Sequence, residues 1–174
     1  MIPNPLHAAV VHFPIVFAVL MPVVAAISLY AIHRGRRVRH WWGLAVAVLV
    51  LLSVSSFVAV RTGEAQEERV EAVVREQPLH SHEEAAELFL VLTGALVLVG
   101  AGGLLPKRTG TALRAIAAIG TLVVLGAGWR VGHSGGELVY KHGAAGAYVG
   151  SSSGSPVSID SAPDIKANSD EDRD

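Results

Sequence analysis

The sequence predicts an all-α fold, an integral membrane four-helix bundle with both termini on the outer face and a short outer helix between spans two and three. Three observations point there. Apolar residues make up 51 % of the 174 residues and charged residues only 17 %, where a soluble domain carries about a quarter. The apolar residues fall in four blocks, 8–32, 41–60, 85–105 and 111–131, each with the roughly 20 residues an α-helix needs to cross about 30 Å of hydrocarbon. The charges between the blocks are sorted by sign. Arg34, Arg36, Arg37 and Arg39 follow the first block, and Lys107, Arg108 and Arg114 surround the start of the fourth, with no acid in either loop. All 15 Asp and Glu residues lie in the 61–87 connection, at Glu137 or in the tail. Short Lys/Arg-rich loops stay in the cytoplasm. The expected location is therefore a bacterial cytoplasmic membrane, crossed four times, with the connection and both termini outside.

The same features exclude several classes. Without cysteine there is no disulfide, iron–sulfur or thiolate-metal chemistry. A net charge of −1, with the basic residues explained by topology, carries no nucleic-acid signature. The blocks do not alternate as spanning strands would. No positive charge precedes the first apolar run, which suits a helix inserted N-end out rather than a cleaved signal.

Span one begins at NPLHAAVVHFPIV. His7 is expected near the interface and His12 further into the membrane, and Pro14 and Pro22 predict kinks because each removes a backbone donor. Trp41 and Trp42 read as interface residues. Ser53, Ser55 and Ser56 in span two read as helix-to-helix hydrogen-bond formers. In the connection, Thr62 suits the cap of a short helix with Val70, Val73 and Val74 on one face, placed as a lid over the outer surface. Pro78 ends it. His80 and Glu84 are four apart, so they share a helix face at the head of span three. Glycines recur from Gly94 to Gly136, and Gly128, Gly132 and Gly136 stand four apart. That spacing suits close helix contact or room for a flat cofactor. Residues 144–174 are Ser/Gly-rich and then acidic, and read as a disordered tail.

The stretch GAGWRVGHSGGELVYKHG, 126–143, turns an apolar span abruptly polar. His133 and Glu137 share one face there. Topology brings His7, His12, His80, His82, His133 and His142 to the outer side. Neutral imidazoles with carboxylates suit iron, copper or zinc, and His7, His12, His80, His82, His133, Glu84 and Glu137 are the candidate metal ligands. A b-type haem needs two facing histidines with small residues beside the porphyrin. His12 with His82 or His133 fits that role, with Gly132 alongside and Arg130 near a propionate. Three functions follow: a haem b electron-transfer protein, with a quinone or redox protein as partner; a non-haem transition-metal protein; and a non-catalytic interaction subunit whose histidines close a polar network. The bilayer is the one certain partner class, and further copies of the chain are another candidate. No HExxH spacing and no nucleophile–base pair identifies a hydrolase.

The combination of HAAVVHFPI, RTGEAQEE, HEEAAELF and VGHSGGELVYKHG resembles the bacterial domain-of-unknown-function 2231 family of four-helix membrane proteins, over roughly residues 4–143. The resemblance implies a four-span bundle with His12, His82, His133 and Gly135 at the family's marked positions. It implies no function, since the family has none assigned.

Overall fold

The structure, a computed structural model, describes residues 6–149. All regular structure among them is helical: α1 (Leu6–Val10), α2 (His12–His33), α3 (Val38–Glu64), α4 (Glu67–Glu71), α5 (Glu76–Gly102), α6 (Lys107–Tyr140) and α7 (Gly146–Val149). Four segments, Leu6–His33, Val38–Glu64, Glu76–Gly102 and Lys107–Tyr140, are long and apolar enough to cross a membrane. Each exceeds the apolar block that predicted it, because the helix runs on into polar sequence at the histidine-bearing end. Helix α2 packs on α3 and α6, and α5 packs on α3 and α6, which closes a four-helix ring.

Local chemistry sets the element ends. Pro14 has no N–H for the carbonyl one turn back and its ring crowds it. The α1–α2 break falls there, at Val11. Pro22 sits inside α2 without interrupting it. Gly35, at φ 80°, makes the reversal between α2 and α3. Between α5 and α6 the reversal falls on Lys107, at φ 64°, a left-handed conformation that costs a non-glycine residue about 1–2 kcal/mol. Pro78 does not end the connection as expected. It sits in the first turn of α5, where a missing N–H leaves no helical bond unmade.

Helices in lipid gain no hydrophobic drive from touching each other, so packing and hydrogen bonds hold them together. The core is built accordingly, from Ala18, Met21, Trp42, Leu49, Phe89, Leu96 and Val124. Large residues lie against glycines on the facing helix. A Cβ on Gly100 would lie 2.8 Å from Leu49, one on Gly120 2.5 Å from Leu96, and one on Gly128 3.1 Å from Phe89. For these glycines the close-contact reading holds. The outward faces carry Phe13, Val19, Leu98, Ile119 and other exposed apolar side chains, as lipid contact requires.

Two polar expectations change. Trp42 is not an interface residue: it is 1 % exposed, and its indole N–H donates to Gly100 O at 2.8 Å. Ser55 and Ser56 donate back to Leu52 O in their own helix. In this part of the bundle the serine that bonds across helices is Ser28, which donates to Trp41 O at 3.0 Å.

The second hairpin repeats the first. Buried Pro14, Ala18, Met21 and Ala25 of α2 match buried Phe89, Thr93, Leu96 and Gly100 of α5 at one constant offset. Buried Trp42, Ala45, Leu49 and Leu52 of α3 match Arg114, Ala117, Thr121 and Val124 of α6 at another. The packing agrees, since exchanging the hairpins exchanges the α2–α6 contact with the α5–α3 contact.

Candidate functional site

Carried to the histidine-bearing end, the same two offsets pair His7 with His82, Thr62 with Ser134 and Gly63 with Gly135. The side chains obey the repeat. His7, on α1, lies against Gly63 of α3; a Cβ there would come within 3.2 Å of its ring. His82, on α5, lies against Gly135 of α6, where the corresponding approach is 3.1 Å. In each hairpin an imidazole rests on a glycine that leaves room for it, beside a hydroxyl residue.

The hydrogen bonds fix how each ring is used. His7 Nδ1 stands 2.9 Å from Ala59 O. A carbonyl only accepts, so Nδ1 carries the proton. Thr62 Oγ1, 3.4 Å from the same nitrogen, directs its own proton to Val58 O and Ala59 O. His82 Nδ1 stands 2.8 Å from Ser134 Oγ. Ser134 donates its proton to Val131 O at 3.0 Å, so its oxygen accepts from His82 Nδ1–H. The hydrogen bonds of each neutral ring thus run through Nδ1 and leave Nε2 unprotonated, with the Val131 carbonyl as a further acceptor near His82. Neither Nε2 is sealed off as a buried unsatisfied atom. An imidazole whose Nδ1–H is held by an oxygen acceptor while Nε2 stays free is arranged as a ligand is.

Both rings line one cavity of about 800 Å³, within direct electrostatic reach of each other. Val60, Val70, Leu79, Ala86 and Leu138 make much of its wall, with Glu64, Glu67, Glu83 and Glu87 also on it. A second apolar cluster roofs this end: Val74, Leu79, Leu138 and Ala144, with Val70 packed against them. The short α4 and α7 belong to the roof. Tyr148 of α7 donates to Gln66 Oε1 at 2.6 Å, and Arg69 of α4 lies over its ring at 5.9 Å. Burial pushes the Tyr148 phenol up, with Arg69 opposing.

The short helix expected in the connection is present as α4, at the histidine-bearing end, with changed details. Thr62 is not its cap but lies inside α3. Of the three valines, Val74 is buried, Val70 half-buried and Val73 exposed. The tail expected to begin at 144 contributes buried Ala144 and the helix α7. The rest of that expected tail, 150–174, lies outside the described residues.

Of the histidines and acids singled out from sequence, the cavity collects His7 and His82. His12 is exposed, with Nδ1 3.3 Å from Ala9 O. His80 and Glu84 pair at 3.3 Å on the surface. His133 and Glu137 pair at 3.7 Å, and Glu137 also bonds Lys141. These partners share faces as their spacing predicts, but none of the five lines the cavity. Arg130 and Gly132 are exposed, and nothing stands within 4 Å of a Cβ on Gly132. Gly135, by contrast, is on the cavity wall. Helix geometry explains the sorting. Residues five apart differ by about 140° and residues two apart by about 160° around the axis. With His7 inward His12 turns away, and His82 and Gly135 exclude His80 and His133 in the same manner. Sequence reasoning passed over Gly63 and Ser134 and gave Thr62 a different role, that of a cap. Their signal is a hydroxyl residue directly before a glycine near the histidine-bearing ends of α3 and α6.

A bundle of four apolar helices, with one roofed cavity among the polar helix ends, defines a small multi-pass membrane protein. The pattern of the family described as predicted membrane protein (DUF2231) matches residues 3–147. The chain belongs to that family, as its motifs implied. No curated protein and no solved structure matches it.

Replacing Ser134 by alanine removes the acceptor that holds His82 and leaves the ring free to change tautomer. Any ligand bound through His82 Nε2 is expected to bind roughly 10- to 100-fold more weakly, with the melting temperature nearly unchanged; a titration of apoprotein with the ligand reads this.

Proposed function

We propose that this protein holds a b-type haem between His7 and His82 at the outward end of the bundle and serves in electron transfer at a bacterial cytoplasmic membrane. One observation carries the reading: two equivalent imidazoles with engaged Nδ1–H groups offer free Nε2 atoms to one cavity. Two facing nitrogens are the protein ligands a b-type haem takes. The residues present fit such a group. The cavity is large enough and mostly apolar, and the glycines under the rings let them stand close to their helices. When bound, haem supplies one-electron redox chemistry. The chain's own residues bind and orient it: His7 and His82 as ligands, Thr62 and Ser134 as the groups fixing their rings. The roof of α4 and α7 limits the access of water. A quinone or a redox protein is the expected electron partner, and a homo-oligomer fits the same role.

A second reading has its own support. Glu64, Glu67, Glu83 and Glu87 give the cavity wall an acidic side, which suits a divalent transition metal better than haem propionates. It ranks second because no three His, Asp or Glu residues among those described stand close enough together to hold an ion. Full-length protein purified in mild detergent decides between them. The first reading expects a Soret band and about one haem per chain by the pyridine assay. Stoichiometric iron, copper or zinc without haem would support the second, and neither haem nor metal would sink both.

A further inference from the structure

The opposite end of the bundle carries a charged site that the cavity does not use. Arg114 is 7 % exposed, on α6 about two turns into the helix. Its guanidinium donates to Gly103 O at 2.6 Å and to Thr111 Oγ1 at 3.0 Å. These two bonds leave three of its five N–H donors without a partner. No carboxylate among the described residues pairs with it. A cation so far out of water, offset by one helix C-terminus and one hydroxyl, is short of negative charge.

Its surroundings add to the deficit. Arg114 lines a surface groove with Lys107, Arg108 and Thr111, and no acid contributes to that groove. The groove opens at the N-terminus of α6, whose cap, Pro106, gives no side-chain hydrogen bond. The start of a helix leaves amides that its own turn cannot bond, and here no cap side chain takes one, an arrangement suited to phosphate. The backbone is fitted closely here: a Cβ on Gly110 would stand 1.8 Å from Leu105 O, so only glycine lets the loop lie against α6. Leu104 and Leu105, 39 % and 50 % exposed, flank the groove with apolar surface. Positive charge, free amides and adjoining hydrocarbon match one ligand class, a lipid with a phosphate headgroup and acyl chains.

We propose that the groove at the start of α6 binds the phosphate of an anionic phospholipid in the leaflet at the arginine-bearing end, with Arg114 as inner donor and Lys107 and Arg108 at the rim. Basic pockets at the cytoplasmic ends of spans take anionic headgroups in this manner. The site is independent of what the histidine cavity holds.

The test uses full-length protein in detergent, titrated with short-chain phosphatidylglycerol or phosphatidylcholine and followed by native mass spectrometry and thermal stability. Phosphatidylglycerol should bind saturably and raise the melting temperature, and phosphatidylcholine should not. Lys107→Gln with Arg108→Gln alters two exposed side chains and should fold normally. That pair should weaken phosphatidylglycerol by roughly thirty-fold, the loss expected for two cations near a membrane surface. Arg36→Gln with Arg37→Gln, in the other basic loop, should leave affinity within about two-fold. Equal response to both lipids, or equal loss in the two double variants, would mean diffuse charge attraction and overturn the site. Glycerol 3-phosphate or inorganic phosphate matching phosphatidylglycerol at equal concentration would overturn the lipid assignment in favour of a free anion.

Discussion

Full-length protein with His7 and His82 both replaced by alanine should lose the proposed haem, or the metal of the second reading, entirely, while His12→Ala with His133→Ala should keep it. The two double variants delete the same chemistry from the same end of the bundle. They differ in where the rings point. His7 and His82 line the cavity with Nδ1 held by Ala59 O and Ser134 Oγ, while His12 and His133 are exposed. Haem per chain by the pyridine assay, or metal per chain by elemental analysis, reads the result. Both mutant proteins should stay folded, since neither cavity ring belongs to the main core. Retention in the first variant with loss in the second would return the site to the outward face of α6.

Gly110→Ala should be among the most damaging single-methyl changes in the chain. Ordinarily glycine to alanine inside a helix gains up to about 1 kcal/mol. Here the new Cβ would stand 1.8 Å from Leu105 O and 2.8 Å from its carbonyl carbon, and backbone cannot rotate aside as a side chain does. The 103–107 loop would have to lift, taking with it the Gly103 carbonyl that accepts from Arg114. A destabilisation of roughly 3 kcal/mol or more is expected, seen as a lower melting temperature by circular dichroism in detergent. Gly126→Ala is the control: nothing stands within 4 Å of its Cβ, so it should be neutral or stabilising. Equal behaviour of the two variants would mean that the α5–α6 turn is not built as described.

The spans and the polarity of the loops were legible because hydrophobic length and the placement of Lys and Arg are properties of composition along the chain. That the polar ends of spans one, three and four meet followed from topology alone. Which histidine faces inward did not follow, because it depends on the rotation of each helix about its axis, and packing sets that. Trp42, Leu49 and Leu96 seat against glycines on their neighbours, and packing of this kind sets the rotation that turns His7 inward and His12 out. Spacing along the chain carries no such information: it sets His12 about 140° from His7, but not which of the two faces the cavity. A clue is present at Thr62-Gly63 and Ser134-Gly135, two hydroxyl–glycine pairs near the same ends of spans two and four. Set beside His7 and His82 they outline the internal repeat, which a search for identical motifs passes over because the core residues differ, Trp42 matching Arg114 and Pro14 matching Phe89. Trp42 misled for a related reason. Its place beside Trp41 at a span end suits an interface belt, yet Gly100 of α5 and Gly103 just past its end leave a recess that takes the indole.

The repeat makes the proposed site a symmetric one, and that property is open to a single measurement. With haem bound as proposed, low-temperature electron paramagnetic resonance of the ferric full-length protein would report how many imidazoles hold it. A low-spin spectrum is then expected for the native chain, converting to high-spin in His7→Ala and equally in His82→Ala. Spectra unchanged by either substitution, or changed instead by His12→Ala or His133→Ala, would contradict the pairing of His7 with His82.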